Sequence, residues 1–135
     1  MSLTDSQANA EIMHGTIPAT VLLAGTVTKG DAVGFSSGWK RALATTGGVI
    51  QLTLVAGEDG VAGQWITAYL GPVRMGGRFS GGTAGAALYV AEATLSGKYT
   101  ETAPSTSGDA NTVVGYVVNA TEVLVTPRFN VDSTA

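Results

Sequence analysis

Short apolar segments separated by glycine-containing turns follow one another through most of this chain. After Pro18, no window of a dozen residues keeps a helical apolar period free of glycine, so long helices are not expected. Seven runs rich in β-branched and aromatic residues are predicted as strands. They are Thr20–Ala24, Ala32–Phe35, Val49–Val55, Gln64–Leu70, Ala87–Ala91, Thr112–Val118 and Glu122–Phe129. Short strands at this spacing predict an all-β domain, a compact sandwich or barrel-like fold with few or no helices.

Two of these runs have informative patterns. Residues 49–55 alternate, with Ile50, Leu52 and Leu54 on one face, as expected for a half-buried strand. Residues 112–118 are apolar on both faces, which predicts a strand running centrally through the core. Residues 28–42 and 83–100 also share a Thr-x-Gly-x-Ala start followed by a strand, which fits a duplicated hairpin unit.

The two ends of the chain differ from its middle. Residues 1–9 are mostly polar, and the segment up to residue 16 is predicted to be an N-terminal arm, flexible when the domain is alone. The β-rich domain is expected to span residues 17–130. Residues 131–135 are predicted to be a tail.

Composition narrows the classes of partner. Only 13% of the 135 residues are charged, the net charge is −3, and the seven basic residues are scattered, so no nucleic-acid partner is expected. With 44% hydrophobic residues, part of the outer surface is expected to be buried against other copies or another protein. A monomer coated with threonine, serine and glycine is the alternative. The absence of cysteine excludes disulfides and thiolate chemistry.

No apolar run approaches the roughly 20 residues that span a bilayer, and the N-terminus lacks a basic-then-apolar signal pattern. The expectation is a soluble protein without a membrane partner and without Sec-dependent export.

Catalytic patterns are missing from the sequence. The single histidine, His14, lies in the predicted arm, and no Gly-x-Ser-x-Gly elbow occurs. The adjacent acids Glu58 and Asp59 lie in a Gly-Glu-Asp-Gly stretch, which is typical of a solvated turn rather than a metal site. The glycine-rich stretch 71–85 lacks the Gly-Lys-Ser/Thr of a phosphate-binding loop. We therefore expect no catalytic residue, metal, cofactor or small-molecule substrate, and no enzyme activity.

Three motifs resemble a known family. The first is a Gly-Asp-x-Val motif near the start of the chain, at Gly30, Asp31 and Val33. The second is a Gly-x-x-Leu-Tyr strand in the middle, at Gly85, Leu88 and Tyr89. The third is a Val-Val-Gly-x-Val strand near the end, at Val113, Val114, Gly115 and Val117. In these motifs, and over residues 16–129, the sequence resembles the small capsid decoration proteins of tailed bacteriophages.

This resemblance implies a compact β-tulip-like domain that forms homotrimers on the outer surface of the expanded capsid and stabilises the head. It implies a virion protein, made in the host cytoplasm, whose partner is the major capsid protein. The arm would contact the capsid through Leu3, Ile12, Met13 and His14, with Ile17 and Pro18 setting the exit of the arm. The proposed trimer contacts are Arg74, Arg78, Phe79 and Arg128.

Two other functions stay open. The first is a carbohydrate- or surface-binding β-module of a fibre or adhesin, which would gain support if two or more aromatic side chains were exposed on one face. The second is an enzyme of unfamiliar type, which would need a cleft that gathers two acids or His14.

Overall fold

The computed structural model describes residues 2–92, 95–127 and 132–135, and its regular elements are β-strands, which confirms the predicted all-β fold. The strands are β1 (Thr4–Asp5), β2 (Glu11–Gly15), β3 (Pro18–Leu22), β4 (Ala32–Phe35), β5 (Trp39–Arg41), β6 (Leu54–Ala56), β7 (Trp65–Tyr69), β8 (Val73–Gly76), β9 (Phe79–Ser80), β10 (Ala87–Val90), β11 (Tyr99–Thr100), β12 (Gly115–Asn119) and β13 (Glu122–Val125). They form a six-stranded sheet in the order β11-β10-β12-β13-β8-β2, a five-stranded sheet in the order β3-β7-β6-β4-β5, and the pair β1-β9.

The five-stranded sheet carries a hydrophobic core on each of its faces. Ala32 and Val55 are cross-strand partners on one face, where they join the core formed with the six-stranded sheet. Their neighbours Val33 and Leu54 pair on the opposite face and belong to a second, smaller core. Because successive side chains in a strand point to opposite faces, these consecutive apolar residues can fill two cores at once. The arrangement is sandwich-like.

The smaller core is enclosed by curling of the five-stranded sheet. Leu23, just after β3, bridges Trp39 at the start of β5, and Val27 bridges Gly60. A Cβ atom at Gly60 would lie 2.6 Å from a methyl carbon of Leu23 and 2.8 Å from one of Ile66, so a larger residue here would require these core side chains to shift.

The strand predicted at residues 112–118 needs a correction. As β12 it lies between β10 and β13 inside the six-stranded sheet, so its central position is confirmed. However, the strand begins only at Gly115, and Tyr116 is exposed on the face of the sheet opposite the core. Val113, which precedes the strand, is exposed as well. The strand predicted to run to Phe129 is observed only to Val125, and residues 128–131 lie outside the described residues.

The predicted N-terminal arm is packed into the domain, which corrects the expectation of a separate flexible segment. β1 pairs with β9, and β2 pairs with β8 at the edge of the six-stranded sheet. Leu3 and Ala10 are buried in the larger core. These two side chains are the buried apolar contacts of the segment with the domain, and hydrogen bonds and ion pairs, described below, hold the rest of it in place.

The predicted C-terminal tail is also attached in its described part. Thr134 bridges Ala110, and the backbone N–H of Asn111 donates to the carbonyl of Ser133. The Gln51 side-chain amide donates to the same Ser133 carbonyl. Residues 132–135 therefore run along the segment before β12, held by backbone hydrogen bonds that their composition does not reveal.

Candidate functional site

A buried ionic network joins the N-terminal segment to both large sheets. Arg78 forms a bidentate pair with Asp5, with Nε 2.7 Å from Oδ1 and Nη2 2.9 Å from Oδ2. Its Nη1 donates to Asp31 Oδ1 at 3.0 Å. The side chains of all three residues are almost completely buried. Because Asp5 lies on β1 and Asp31 directly precedes β4, one guanidinium links the start of the chain to the five-stranded sheet.

A second arginine balances the charge of the network. Arg41 Nε donates to Asp31 Oδ2 at 2.7 Å, and its Nη2 donates to the Thr28 hydroxyl at 3.0 Å. Two carboxylates thus face two guanidinium groups. The Gln7 side-chain amide also donates to Asp31 Oδ1 at 3.2 Å and to the Ser96 carbonyl at 2.8 Å.

The aromatic ring of Tyr99 closes the network on its inner side. The Tyr99 backbone N–H donates to Asp5 Oδ2 at 3.0 Å, and its hydroxyl donates to the Gly30 carbonyl at 2.9 Å. Burial raises the pKa of Tyr99 well above its ordinary value. Burial disfavours the charge on Arg78, but its hydrogen bond to Asp5 and the charges of Asp5 and Asp31 outweigh this effect, so the pKa of Arg78 is raised.

This network has the properties of a group that stabilises the fold rather than those of a catalytic site. Its charges are paired, its donors are used, and the phenol of Tyr99 is held neutral. A general acid or base must be accessible to its substrate, and the side chains of Asp5, Asp31 and Arg78 are buried and paired with one another. Sequence analysis missed the roles of Asp5 and Asp31, because Asp5 and Arg78 are 73 positions apart and no local pattern connects them.

The proposed trimer contacts are corrected by this arrangement. Arg78 lies in the ionic network and Phe79 is buried in the larger core, so neither side chain can reach another subunit while the fold is intact. Arg74 is exposed and pairs with Glu122 on the neighbouring strand, with Nη2 2.6 Å from Oε1. Arg128 lies outside the described residues.

Met13 and His14, predicted as capsid contacts, lie on β2, and Ile17 and Pro18, predicted to set the exit of the arm, lie at the turn into β3. Met13, His14, Ile17 and Pro18 are all exposed there, and we call this group the β2–β3 corner. Met13 is 44% exposed and Ile17 is 42% exposed. Ile12 points inward against the larger core, and Leu3 is buried, so these two side chains do not belong to the exposed surface. The burial of Leu3 corrects its assignment as a contact residue in this conformation of the chain.

Ile17 has an unusual backbone. Its φ is +54°, a left-handed conformation that β-branched residues rarely adopt. The conformation is maintained by backbone hydrogen bonds, since the N–H of Leu70 donates to the Ile17 carbonyl at 3.0 Å and the N–H of Gly71 donates to the Thr16 carbonyl at 3.1 Å. An asparagine or glycine would adopt this turn at lower cost. The Ile17 side chain lies over Gly71, where a Cβ atom would be 3.0 Å from Ile17 Cδ1.

Several aromatic side chains are exposed. Trp65 is 65% exposed on β7 and Phe35 is 63% exposed on β4. Phe35 packs edge-on against Trp39, with ring centroids 5.2 Å apart. Trp65 and Phe35 lie on opposite faces of the five-stranded sheet, as the alternation of their strands shows, so they do not form one aromatic row.

The described residues contain no group of three or more histidine, cysteine or acidic side chains that could hold a metal ion. No helix long and apolar enough to cross a membrane occurs among them. No family model, curated protein or solved structure matches this chain.

Proposed function

We propose that this chain is a capsid decoration protein of a tailed bacteriophage, a structural protein that binds the outside of the expanded head and stabilises it as a homotrimer. The observation that carries the proposal is the β2–β3 corner, where Met13 and Ile17 present apolar side chains and Ile17 does so from a strained backbone. The major capsid protein is the proposed partner for this surface. The proposal includes no catalytic activity and places the protein on the virion surface.

The motifs behind the resemblance have structural roles in the fold that support this proposal. Asp31 belongs to the ionic network, and Val33 and Leu88 are core residues. Gly85 has φ +85°, and a Cβ atom at Gly115 would lie 1.9 Å from the carbonyl oxygen of Leu124. The motif residues therefore specify the fold, while exposed residues outside them specify the partner.

The corrected position of the N-terminal segment changes the proposed mode of binding. The corner is held on an edge strand and does not extend as a free arm, so capsid contact would use a preformed surface. A preformed surface pays less ordering entropy on binding than a disordered segment does. At roughly 25 cal/mol per Å² of apolar area, about 200 Å² per subunit would contribute about 5 kcal/mol before association costs.

The test uses a variant that removes the apolar side chain without disturbing the fold. Ile17→Asn places a residue that tolerates positive φ at the corner, so the free energy of unfolding should change by less than about 1 kcal/mol. We expect this variant to lose binding to expanded heads assembled from the capsid protein of the same phage. Val61→Asn is the matched control, because Val61 is an exposed branched residue outside the corner.

Light scattering tests the second part of the proposal. The purified wild-type chain should show three times the 13.6 kDa mass of one chain. Retention of head binding by Ile17→Asn would remove the corner from the interface, and a monomer that does not bind heads would refute the decoration function.

A further inference from the structure

The exposed face of the β3–β7 ladder combines apolar and hydroxyl groups. Cross-strand pairing places Leu22 beside Trp65 and, two residues along each strand, Thr20 beside Thr67. We call these four residues the β3–β7 strip. Leu22 is 43% exposed, and Trp65 is the most exposed of the large hydrophobic side chains described in the structure.

The strip is the part of its sheet face that the rest of the domain leaves uncovered. The next pair along the ladder is Pro18 and Tyr69. The Tyr69 ring lies against Gly15, so closely that a Cβ atom there would be 2.7 Å from the ring. Tyr69 is thus covered by the six-stranded sheet. Farther along the ladder, Thr20, Leu22 and Trp65 are exposed and Thr67 is half-buried.

Hydrogen-bonding groups in the strip are unused. Within the described residues, the hydroxyls of Thr20 and Thr67 have no hydrogen-bond partner. At the edge of the strip, the carboxylate of Glu58 accepts from the Thr67 backbone N–H at 2.9 Å, which leaves its other oxygen available. Each hydroxyl can both donate and accept, and the strip itself carries no charged side chain.

From this combination we infer that the β3–β7 strip is a binding site for neutral saccharides. A pyranose ring has an apolar C–H face that can stack on the Trp65 indole and a rim of hydroxyls that can pair with the two threonines. A protein surface pressed flat on the strip would instead bury the threonine hydroxyls, which costs free energy wherever they stay unpaired. The inference adds a function to the proposed head binding and does not depend on it, because the strip and the exposed apolar side chains of the corner involve different residues.

Nuclear magnetic resonance of the ¹⁵N-labelled wild-type chain provides the direct test. The probes are hexamers of glucose, in α-1,4 and β-1,4 linkage, and of N-acetylglucosamine, each titrated into the millimolar range. The chain has two indole N–H signals, from Trp39 and Trp65. With at least one hexamer, the Trp65 signal should shift saturably, and the Trp39 signal should stay in place as an internal control.

Three variants separate the saccharide site from other uses of the strip. Trp65→Ala should weaken binding at least about tenfold. Thr20→Val keeps the shape of the side chain and removes its hydroxyl, so it should weaken saccharide binding but not an apolar protein contact. Phe35→Ala removes an equally exposed ring on the other face of the sheet and should have no effect.

The inference is overturned if no hexamer shifts the Trp65 signal. It is also overturned if the hexamer shifts the backbone signals of the other strip residues equally in the wild-type chain and in Trp65→Ala. It is also overturned if Trp65→Ala lowers the solution mass of the protein while Thr20→Val leaves the mass unaltered, since the strip would then be a contact between copies of the chain.

Discussion

Replacing Arg78 with methionine tests the ionic network most directly. Methionine retains much of the side-chain volume but leaves Asp5 and Asp31 buried without their shared guanidinium. Removing one partner of a buried ion pair costs about 3–5 kcal/mol, because the remaining charge stays desolvated and unpaired. Since a domain of this size has a stability of about 5–15 kcal/mol, the loss is a large fraction of the total. At about 3–4 °C per kcal/mol, the melting temperature should fall by roughly 10–20 °C.

Urea denaturation followed by circular dichroism, together with calorimetry, measures this effect. Arg74→Met is the matched control. Arg74 lies on β8, just before Arg78 in the chain, and forms an exposed pair with Glu122 that should contribute less than about 1 kcal/mol. The double variant Arg78→Met with Asp5→Leu should recover part of the loss, since it removes the carboxylate that is left without an arginine, whereas Asp31 keeps its pair with Arg41. If Arg78→Met costs no more than Arg74→Met, the network does not tie the N-terminal segment to the domain and the reasoning fails.

Three further predictions concern other parts of the fold. A chain beginning at Thr16 should unfold at a much lower urea concentration than the full chain, because it lacks Asp5 and the buried residues Leu3 and Ala10; equal midpoints would show that the segment is dispensable. Hydrogen bonding to Asp109 raises the pKa of Glu92, and the same bond, with those from Thr46, lowers the pKa of Asp109 to about 2. The protonated Glu92 therefore stabilises the fold at low pH, and this contribution is lost as the pH rises through its raised pKa. The ionised Asp109 has the opposite dependence. Its contribution is present above its ordinary pKa of 3.8 and is lost as the pH falls through about 2. Glu92→Gln should accordingly raise the melting temperature near pH 7 more than near pH 4, as thermal scans at both values would show. Gly85→Ala, at an open position with φ +85°, should lower the free energy of unfolding by about 1–2 kcal/mol, whereas Gly115→Ala should prevent folding because its Cβ would overlap a backbone carbonyl. Similar soluble yields and melting temperatures for the two variants would contradict this prediction.

The strands that could be predicted are those with a local signal. Ala32–Phe35 is observed with its predicted bounds, and the strand predicted at Gln64–Leu70 is observed as Trp65–Tyr69. The aligned glycines Gly30 and Gly85 both adopt positive φ ahead of a hairpin, in agreement with the similarity of the two segments. These features depend on residues close together in the chain, and alternation and turn chemistry report on them directly.

The N-terminal segment could not be predicted because its attachment is not local. Its side chains are mainly polar, and a polar segment normally indicates a solvated arm. Here the polar groups of Asp5 and Gln7 are used in the interior, against partners more than twenty positions away in the chain. A carboxylate that meets a buried arginine has the same sequence signature as one that faces water. The burial of Arg78, which is predicted as a trimer contact, has the same origin, because no local pattern shows that its guanidinium meets two buried carboxylates.

The distribution of charge bears on how the protein would attach to a partner. Only 13% of the residues are charged, and four of the charged side chains are buried, namely Asp5, Asp31, Asp109 and Arg78. The surface therefore has few charges with which to steer or hold another molecule at long range. For the proposed capsid binding, contacts would come from close fit and apolar area, and the exposed apolar side chains of the β2–β3 corner would supply that area on an edge of the six-stranded sheet. A ligand bound at the β3–β7 strip would also need to be uncharged, because the strip offers an indole, an aliphatic side chain and two hydroxyls. Both proposals thus follow from one property of the sequence, namely that few of its residues are charged and that some of these are buried inside the fold.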